Sequence, residues 1–274
     1  MKKKLLNLIL KCTGVFFGFI NVTLRYMPDR VKAQFAERMK FYGKLDFVLN
    51  NIFLEISSNY SLVRLRSSSK EKHTVNWIKT FSEGEVFYDI GANVGAYSLI
   101  ASKLGKCDMI FAFEPVPGTF YELLSNLKLN RASNITACNI CLSDTNSTTL
   151  FQLSSDLPGG ALHDGINSNQ ADNTTNFICP TLTIDNFIEI NNYRKPNHLK
   201  IDVDGAELNI LKGAVKTLAY EELKTIQIEI DELSDSNIEI ISILNSNGFI
   251  IDIKNFKSPN CTSTYDALFK KRIL

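Results

Sequence analysis

From residue 86 onward the apolar positions fall into a repeating alternation. Short runs rich in β-branched, aromatic and aliphatic residues occur at 86–90, 109–113, 135–142, 198–203, 225–230 and 248–253. Between them, at 95–104, 118–130, 206–218 and 235–246, apolar residues recur at helical spacing. Runs of this length suit strands buried on both faces, and the i, i+3, i+4 spacing suits helices packed against them. Strand–helix alternation predicts an α/β fold, a mostly parallel sheet with right-handed crossovers and helices on both faces. One more strand, 266–270, is expected to close an antiparallel edge.

Two stretches depart from the alternation. Residues 1–80 read as a largely helical N-terminal extension, with a short amphipathic helix over Thr74–Phe81 that stops near Gly84. About 50 residues separate the third strand, ending near Ser143-Asp144, from the fourth, starting near His198. That is too long for an ordinary connection, so the insertion at 145–197 reads as either a substrate lid or a surface excursion with a crossover helix. The expected organisation is therefore an extension, 1–80, and a main domain, 81–274, carrying the insertion.

The first 24 residues hold their own question. Lys2-Lys3-Lys4 precedes an apolar run, Leu5–Leu10, which Lys11 interrupts before a charge-free run from Cys12 to Leu24. A spanning helix wants about 20 mostly apolar residues. Three readings stand side by side: a basic apolar helix lying on a membrane surface, a helix packed on the main domain, and a true span or signal anchor. The first places a cytoplasmic protein at the inner face of the membrane.

Composition narrows the picture. A hydrophobic fraction of 45% over 274 residues is ample for a large core, and a net charge of +1 gives no reason to expect nucleic acid. The six cysteines are scattered, as reduced thiols in a cytosolic protein would be. Cys138 and Cys141 form a CxxC inside a strand-like run with no second pair to complete a zinc site, which favours a structural role. His73 and His198 read as surface and structural residues. His163, in Gly159-Gly-Ala-Leu-His163, is a candidate base carried by the insertion.

Open α/β sheets bind ligands at the carboxyl ends of their strands. Here those ends carry Asp89 with the Gly91-Ala-Asn-Val-Gly95 turn, Glu114, Ser143-Asp144, Asp202 with Asp204, and Glu229. The glycines let backbone approach a ligand closely. Glu114, 23 residues past Gly91, is placed to take two ribose hydroxyls, and Asp144 an adenine amino group. A dinucleotide site wants a glycine where Asn93 stands, because pyrophosphate needs backbone donors. An acid such as Asp89 disfavours pyrophosphate and suits a cofactor with an amino group and a sulfonium. The sign of the charge therefore favours S-adenosylmethionine over NAD. Cofactor-binding residues are expected to be Asp89, Gly91, Asn93, Gly95, Glu114, Ser143 and Asp144.

These blocks resemble the FkbM family of S-adenosylmethionine-dependent class I methyltransferases, over roughly Thr74 to Phe249. The likeness rests on Asp89-Ile-Gly-Ala-Asn-Val-Gly-Ala-Tyr-Ser98, on Phe113-Glu-Pro-Val-Pro117 with Asn126 and Asn130, and on Leu142-Ser-Asp144. It continues in Leu182-Thr-Ile-Asp185, Lys200-Ile-Asp-Val-Asp-Gly-Ala-Glu207 and Leu211-Lys-Gly213. Asp204 stands where the family often has Glu. The resemblance implies a Rossmann-like class I methyltransferase fold and O-methylation, commonly of a sugar hydroxyl or a polyketide-like alcohol. The expected acceptor is then a carbohydrate or lipid-linked glycan.

An alcohol has a pKa not far from water's ~15.7 and needs a base or a metal to react. Asp202 is expected to act as general base or to orient the hydroxyl, with Asp204 and His163 as further catalytic candidates. The same Asp202, with Asp204 and Glu229, would also suit Mg²⁺, and Asp204-Gly205 would equally serve to cap the following helix. Lys200 either pairs with Asp202 and lowers its pKa or points to solvent. Two other functions remain open: a nucleotide-dependent oxidoreductase, against which Asn93 and Asp89 argue, and a non-catalytic, membrane-associated binding module.

Overall fold

The computed structural model describes residues 26–153, 175–203, 205–256 and 263–272. Asp204, His163 and residues 1–24 lie outside them. The chain divides into two compact units, residues 1–41 and 42–274. In the first, Asp29–Arg38 forms helix α1. The boundary thus falls near residue 41, whereas the sequence places it near residue 80. Among the described residues no helix is long and apolar enough to cross a membrane.

The second unit is built on a seven-stranded sheet. Its strands are β3 (Glu85–Ile90), β4 (Cys107–Phe113), β5 (Ile135–Cys138), β9 (His198–Ile201), β10 (Thr225–Asp231), β11 (Phe249–Phe256) and β12 (Thr264–Lys271). Their order is β11-β12-β10-β9-β3-β4-β5. Strands β5, β4, β3, β9 and β10 run parallel, and β12 runs antiparallel to both β10 and β11. All six residues of β3 and all four of β9 are buried; the polar ones among them face each other, His198 against Glu85 and Lys200 near Asp89. The order reverses between β3 and β9, two adjacent strands whose connections leave in opposite directions. That switch point opens a crevice at the carboxyl ends of both.

Helices α5 (Ala96–Leu104), α6 (Pro117–Leu129), α7 (Ile184–Asn191) and α10 (Ser236–Ser246) flank the sheet. One apolar cluster gathers Tyr88, Phe111, Phe113, Phe187, Ile201, Ile228 and Phe249. The other gathers Phe87, Leu99, Ile100, Ile110 and Leu123 with Trp77, Ile78, Ile52 and Leu54 from the segment before the sheet.

That segment is less helical than its sequence suggests. Tyr42–Lys44 (β1) and Phe53–Glu55 (β2) pair antiparallel, ahead of three short helices, α2 (Asn59–Arg64), α3 (Ser67–Lys70) and α4 (Lys72–Ile78). Three-residue strands are too short to show a period. Side chains from α6 fix the segment in place. Asn126 Oδ1 accepts from Glu55 N at 2.7 Å, and Asn130 bonds both backbone groups of Phe53. These asparagines act as a substitute strand edge.

Three further expectations are corrected. The run 135–142 is two strands, because Asn139 breaks it by donating to the carbonyls of Glu114 and Pro115. Beyond the break, β6 (Cys141–Leu142) joins β8 (Thr175–Leu182) and β7 (Ser147–Leu153) in a separate three-stranded sheet, order β6-β8-β7. The helix expected over 206–218 is also two, α8 (Glu207–Lys212) and α9 (Val215–Ala219). Gly213 lies between them, where a side chain would meet Ser143 O at 2.0 Å. Finally, the last strand is inserted beside β10 and leaves β11 at the edge.

Candidate active site

The crevice at the switch point is an open cleft. It is walled by Gly91, Asn93, Glu114 and Asp202 on its polar side, and by Ile140, Cys141, Leu142, Phe151, Val203 and Ile210 on its apolar side. Four of the residues expected from the sequence therefore meet in one place.

Their meeting is dictated by backbone geometry. Gly91 has φ +80°, and a Cβ there would sit 1.9 Å from Asp202 O. Only glycine lets the first turn touch the loop after β9. Asn93 takes the left-handed conformation, φ 52°, which asparagine tolerates, and its Oδ1 accepts from Val94 N. This directs Asn93 N at Glu114, whose Oε2 accepts it at 3.0 Å, while Oε1 accepts from Val116 N at 2.9 Å.

Glu114 is buried. Burial pushes its pKa up to about 7, and the bonds from Val116 and Asn93 only partly oppose that. Each carboxylate oxygen accepts one backbone N–H and keeps further acceptor capacity toward the cleft, as a ribose diol requires. The neighbouring wall of Ile140, Cys141, Leu142 and Phe151 is apolar and suits a purine face. The residues present thus fit an adenosyl cofactor.

Asp89, Gly95, Ser143 and Asp144 do not line the cleft. Asp89 is fully buried behind the glycine turn, where its Oδ2 accepts from Ser98 Oγ at 2.6 Å. Burial raises its pKa against the opposing pull of Lys200. Gly95 packs on Leu123 of α6. Asp144 is exposed, with its Oδ1 3.1 Å from Ser143 Oγ, because the chain has already left the main sheet at Asn139. Ile140 to Leu142, a few residues earlier, take the position that the sequence assigned to Ser143 and Asp144.

Asp202 leaves the end of β9 with its N–H bonded to Ile90 O and its side chain about one-third exposed. Lys200, buried, donates to Asp202 Oδ2 at 2.7 Å and stands 4.0 Å from Asp89 Oδ1. Of the two orientations open to Lys200, pairing is the one adopted. Because an ammonium already occupies this carboxylate, Asp202 is a poor member of a Mg²⁺ site. The loop that carries Asp202 is fixed by Glu207, whose Oε1 accepts from Val203 N and Gly205 N, each at 3.3 Å. Within the family-like block Lys200–Glu207, the outer residues orient and the inner acid faces the cleft.

His198 and Asp185 have structural roles. His198 stacks on Phe81 at 3.7 Å and bonds Thr225 Oγ1 and Glu85 Oε2. Asp185 caps α9 through Lys216 N and Thr217 N. Cys138 and Cys141 are free thiols that burial pushes up to about 12, unreactive near neutrality. His73 is half-buried and bonded to Asp266. The apolar wall escaped sequence reading because Ile140, Phe151 and Ile210 look like ordinary core residues.

Fold and site together define a class I methyltransferase: a seven-stranded sheet with one inserted antiparallel strand, and a cleft at its switch point lined by Asn93, Glu114 and Asp202. The profile of the Methyltransferase FkbM domain matches residues 89–251, more than half of the chain, and the chain belongs to that family of S-adenosylmethionine-dependent enzymes. It is 27% identical over 177 residues to the hexuronic acid methyltransferase AglP of Haloferax volcanii, spanning 64% of this chain and 68% of that one. It is 25% identical over 174 residues to methyltransferase 1 of Beauveria bassiana, spanning 58% and 68%. Among solved structures, TYW2 of M. jannaschii in complex with AdoMet aligns at 15% identity, TM-score 0.43, over 85% and 90% of the two chains. Precorrin-6y C5,15-methyltransferase of Geobacter metallireducens aligns at 16%, TM-score 0.44, over 79% and 91%. Both superpositions are too loose to bear on function.

Proposed function

We propose that this protein transfers the methyl group of S-adenosylmethionine to an oxygen of a sugar-type acceptor, with Glu114 holding the cofactor ribose and Asp202 serving the acceptor. The observation that carries the reading is the position of Glu114. It is a buried carboxylate at a strand end, fixed by Asn93 N and Val116 N and open to a cleft that also contains Asp202. The likeness to a hexuronic acid methyltransferase supports a sugar acceptor.

The cofactor, when bound, supplies an electrophilic methyl on a sulfonium. The chain's residues supply alignment and proton management. Glu114, Asn93 and Asp202 all line the cleft, and in-line placement of an acceptor oxygen accounts for much of the rate. Asp202 accepts the acceptor proton or orients the hydroxyl. Lys200, donating to Asp202 Oδ2, holds its side chain in place. Asp204 and His163 stay as further catalytic candidates. Residues 1–24 are proposed to bring the enzyme to a membrane surface that carries lipid-linked acceptors, on the cytoplasmic side.

Calorimetric titration with S-adenosylmethionine, S-adenosylhomocysteine and NAD tests this reading. Binding of both adenosyl ligands and not NAD is the expected result. NAD binding alone would move the protein to oxidoreductase chemistry, and binding of none would favour a non-catalytic module.

A further inference from the structure

One cluster of chemistry-bearing side chains lies outside the cofactor cleft. Glu71, His73 and Asp266 each bring one ligand-type atom to within 4.8 Å of the others. His73 Nε2 stands 2.8 Å from Asp266 Oδ2. Asp266 is buried in β12, whereas Glu71 and His73 flank the start of α4 and are half-buried. Glu71 accepts weakly from Thr74 Oγ1 at 3.3 Å, lies 3.9 Å from the exposed Lys70 ammonium, and sits near Tyr97, whose hydroxyl donates to Ser67 O.

We propose that Glu71, His73 and Asp266 form a binding site for a first-row divalent cation of the Mn²⁺, Co²⁺ or Zn²⁺ kind. One imidazole with two carboxylates is a donor set suited to such ions, and the imidazole disfavours Mg²⁺, which prefers oxygen. Metal–nitrogen and metal–oxygen bonds of about 2.1 Å place neighbouring donors roughly 3 Å apart. His73 and Asp266 already have that separation, and rotation of the half-buried Glu71 closes the third side. The charges point the same way, since two carboxylates around one histidine stay net negative even when the ring is protonated. His73 also lines an open cleft with Asn76, Gln227 and Asp252, which gives an ion a way in.

The position gives the ion a role. Asp266 pairs in register with Glu229 near the carboxyl end of β10, and Glu71 touches Tyr97 on the first turn of α5. Glu71 also acts electrostatically on Lys200, the partner of Asp202. The triad thus joins α4 to β12 beside a cleft separate from the cofactor cleft. Bound there, the cation would cross-link α4 to β12 near the Lys200–Asp202 pair.

The test uses the full chain stripped with a chelator, titrated with Co²⁺ by visible absorption and with Mn²⁺ by calorimetry. One saturable site per chain is expected. It should weaken at least tenfold in His73→Ala and about tenfold in Glu71→Gln. Circular dichroism checks that each variant is folded. If His73→Ala does not fold, Glu71→Gln decides. No saturable binding, or equal affinity in the folded variants, overturns the site. S-adenosylmethionine affinity, measured on the same samples, should not change. Its absence in the parent protein would sink the cofactor reading and leave the metal result intact.

Discussion

Lys200 Nζ lies 2.7 Å from Asp202 Oδ2 and 4.0 Å from Asp89 Oδ1, so one buried ammonium ties the acid under the glycine turn to the acid facing the cleft. Adjacent strands create the contact, because Asp89 of β3 and Lys200 of β9 are partners in register. Burial alone would lower the Lys200 pKa, but Asp202 and Asp89 outweigh it and the net shift is upward. Lys200→Met removes the cation and leaves both acids unbalanced. The expected loss is about 3–5 kcal/mol of stability, read from urea unfolding. A loss under about 1 kcal/mol would mean that neither acid depends on it.

Glu114→Ala is expected to weaken S-adenosylmethionine binding at least tenfold, about 1.4 kcal/mol. Calorimetry reads this directly, and unchanged affinity would contradict the ribose assignment.

The same residue makes binding and stability depend on pH. Its pKa rises from 4.5 to about 7 on folding, so between those values the folded state retains a proton that the unfolded state has lost. Its contribution to stability therefore falls as pH rises through that window. Ribose hydroxyls donate to the ionised form, so cofactor affinity should increase with pH up to about 7 and level off above it. In Glu114→Gln both dependences should flatten. A wild-type affinity already constant from pH 5 to 8 would show that Glu114 does not titrate on binding.

Asp202→Asn keeps the size of the side chain and removes its charge. Cofactor affinity should stay within about twofold while turnover falls by roughly 10²–10⁴, the usual contribution of a positioned base. Full activity would remove Asp202 from the mechanism.

His198 supplies a contrasting case, since its ring serves packing. His198→Ala should lower stability by about 2–4 kcal/mol through lost stacking on Phe81 and unsatisfied partners at Glu85 and Thr225. Burial pushes the Glu85 carboxyl up, yet bonds from His198, Lys224 and Ser82 N bring it down to about 2. That contribution is present above the unfolded value of 4.5 and is lost as pH falls toward 2. The variant should therefore lose less stability on acidification than the parent does, while its cofactor affinity near pH 7 is unchanged.

Much of this architecture was written locally. The strands expected at 86–90 and 109–113 announce themselves by their apolar and aromatic residues, and the Gly91–Gly95 turn with Glu114 points to a nucleoside site from the sequence alone. The rest depends on partners distant in sequence. Nothing in Asn139 alone says that it will bind two carbonyls near Glu114 and divert the chain from the sheet. Asp144 is outside the cleft lining for that reason. Gly213 marks a helix break only because Ser143 passes beside it. Asp89 is correctly read as an acid at a strand end, but its distance from the cleft is set by Ser98 and Lys200. Asp266 and His73 are 193 residues apart, and only the antiparallel placement of β12 brings them together.

That placement also bears on how the protein is made. β12 is the last of the seven strands to be synthesised, yet it fills an interior position between β10 and β11. While the ribosome is still adding it, β10 has one bare flank and β11 has no neighbour in the sheet. The growing chain therefore exposes an unpaired strand edge until the final strand is released, and this interval is when a chaperone would have most to protect.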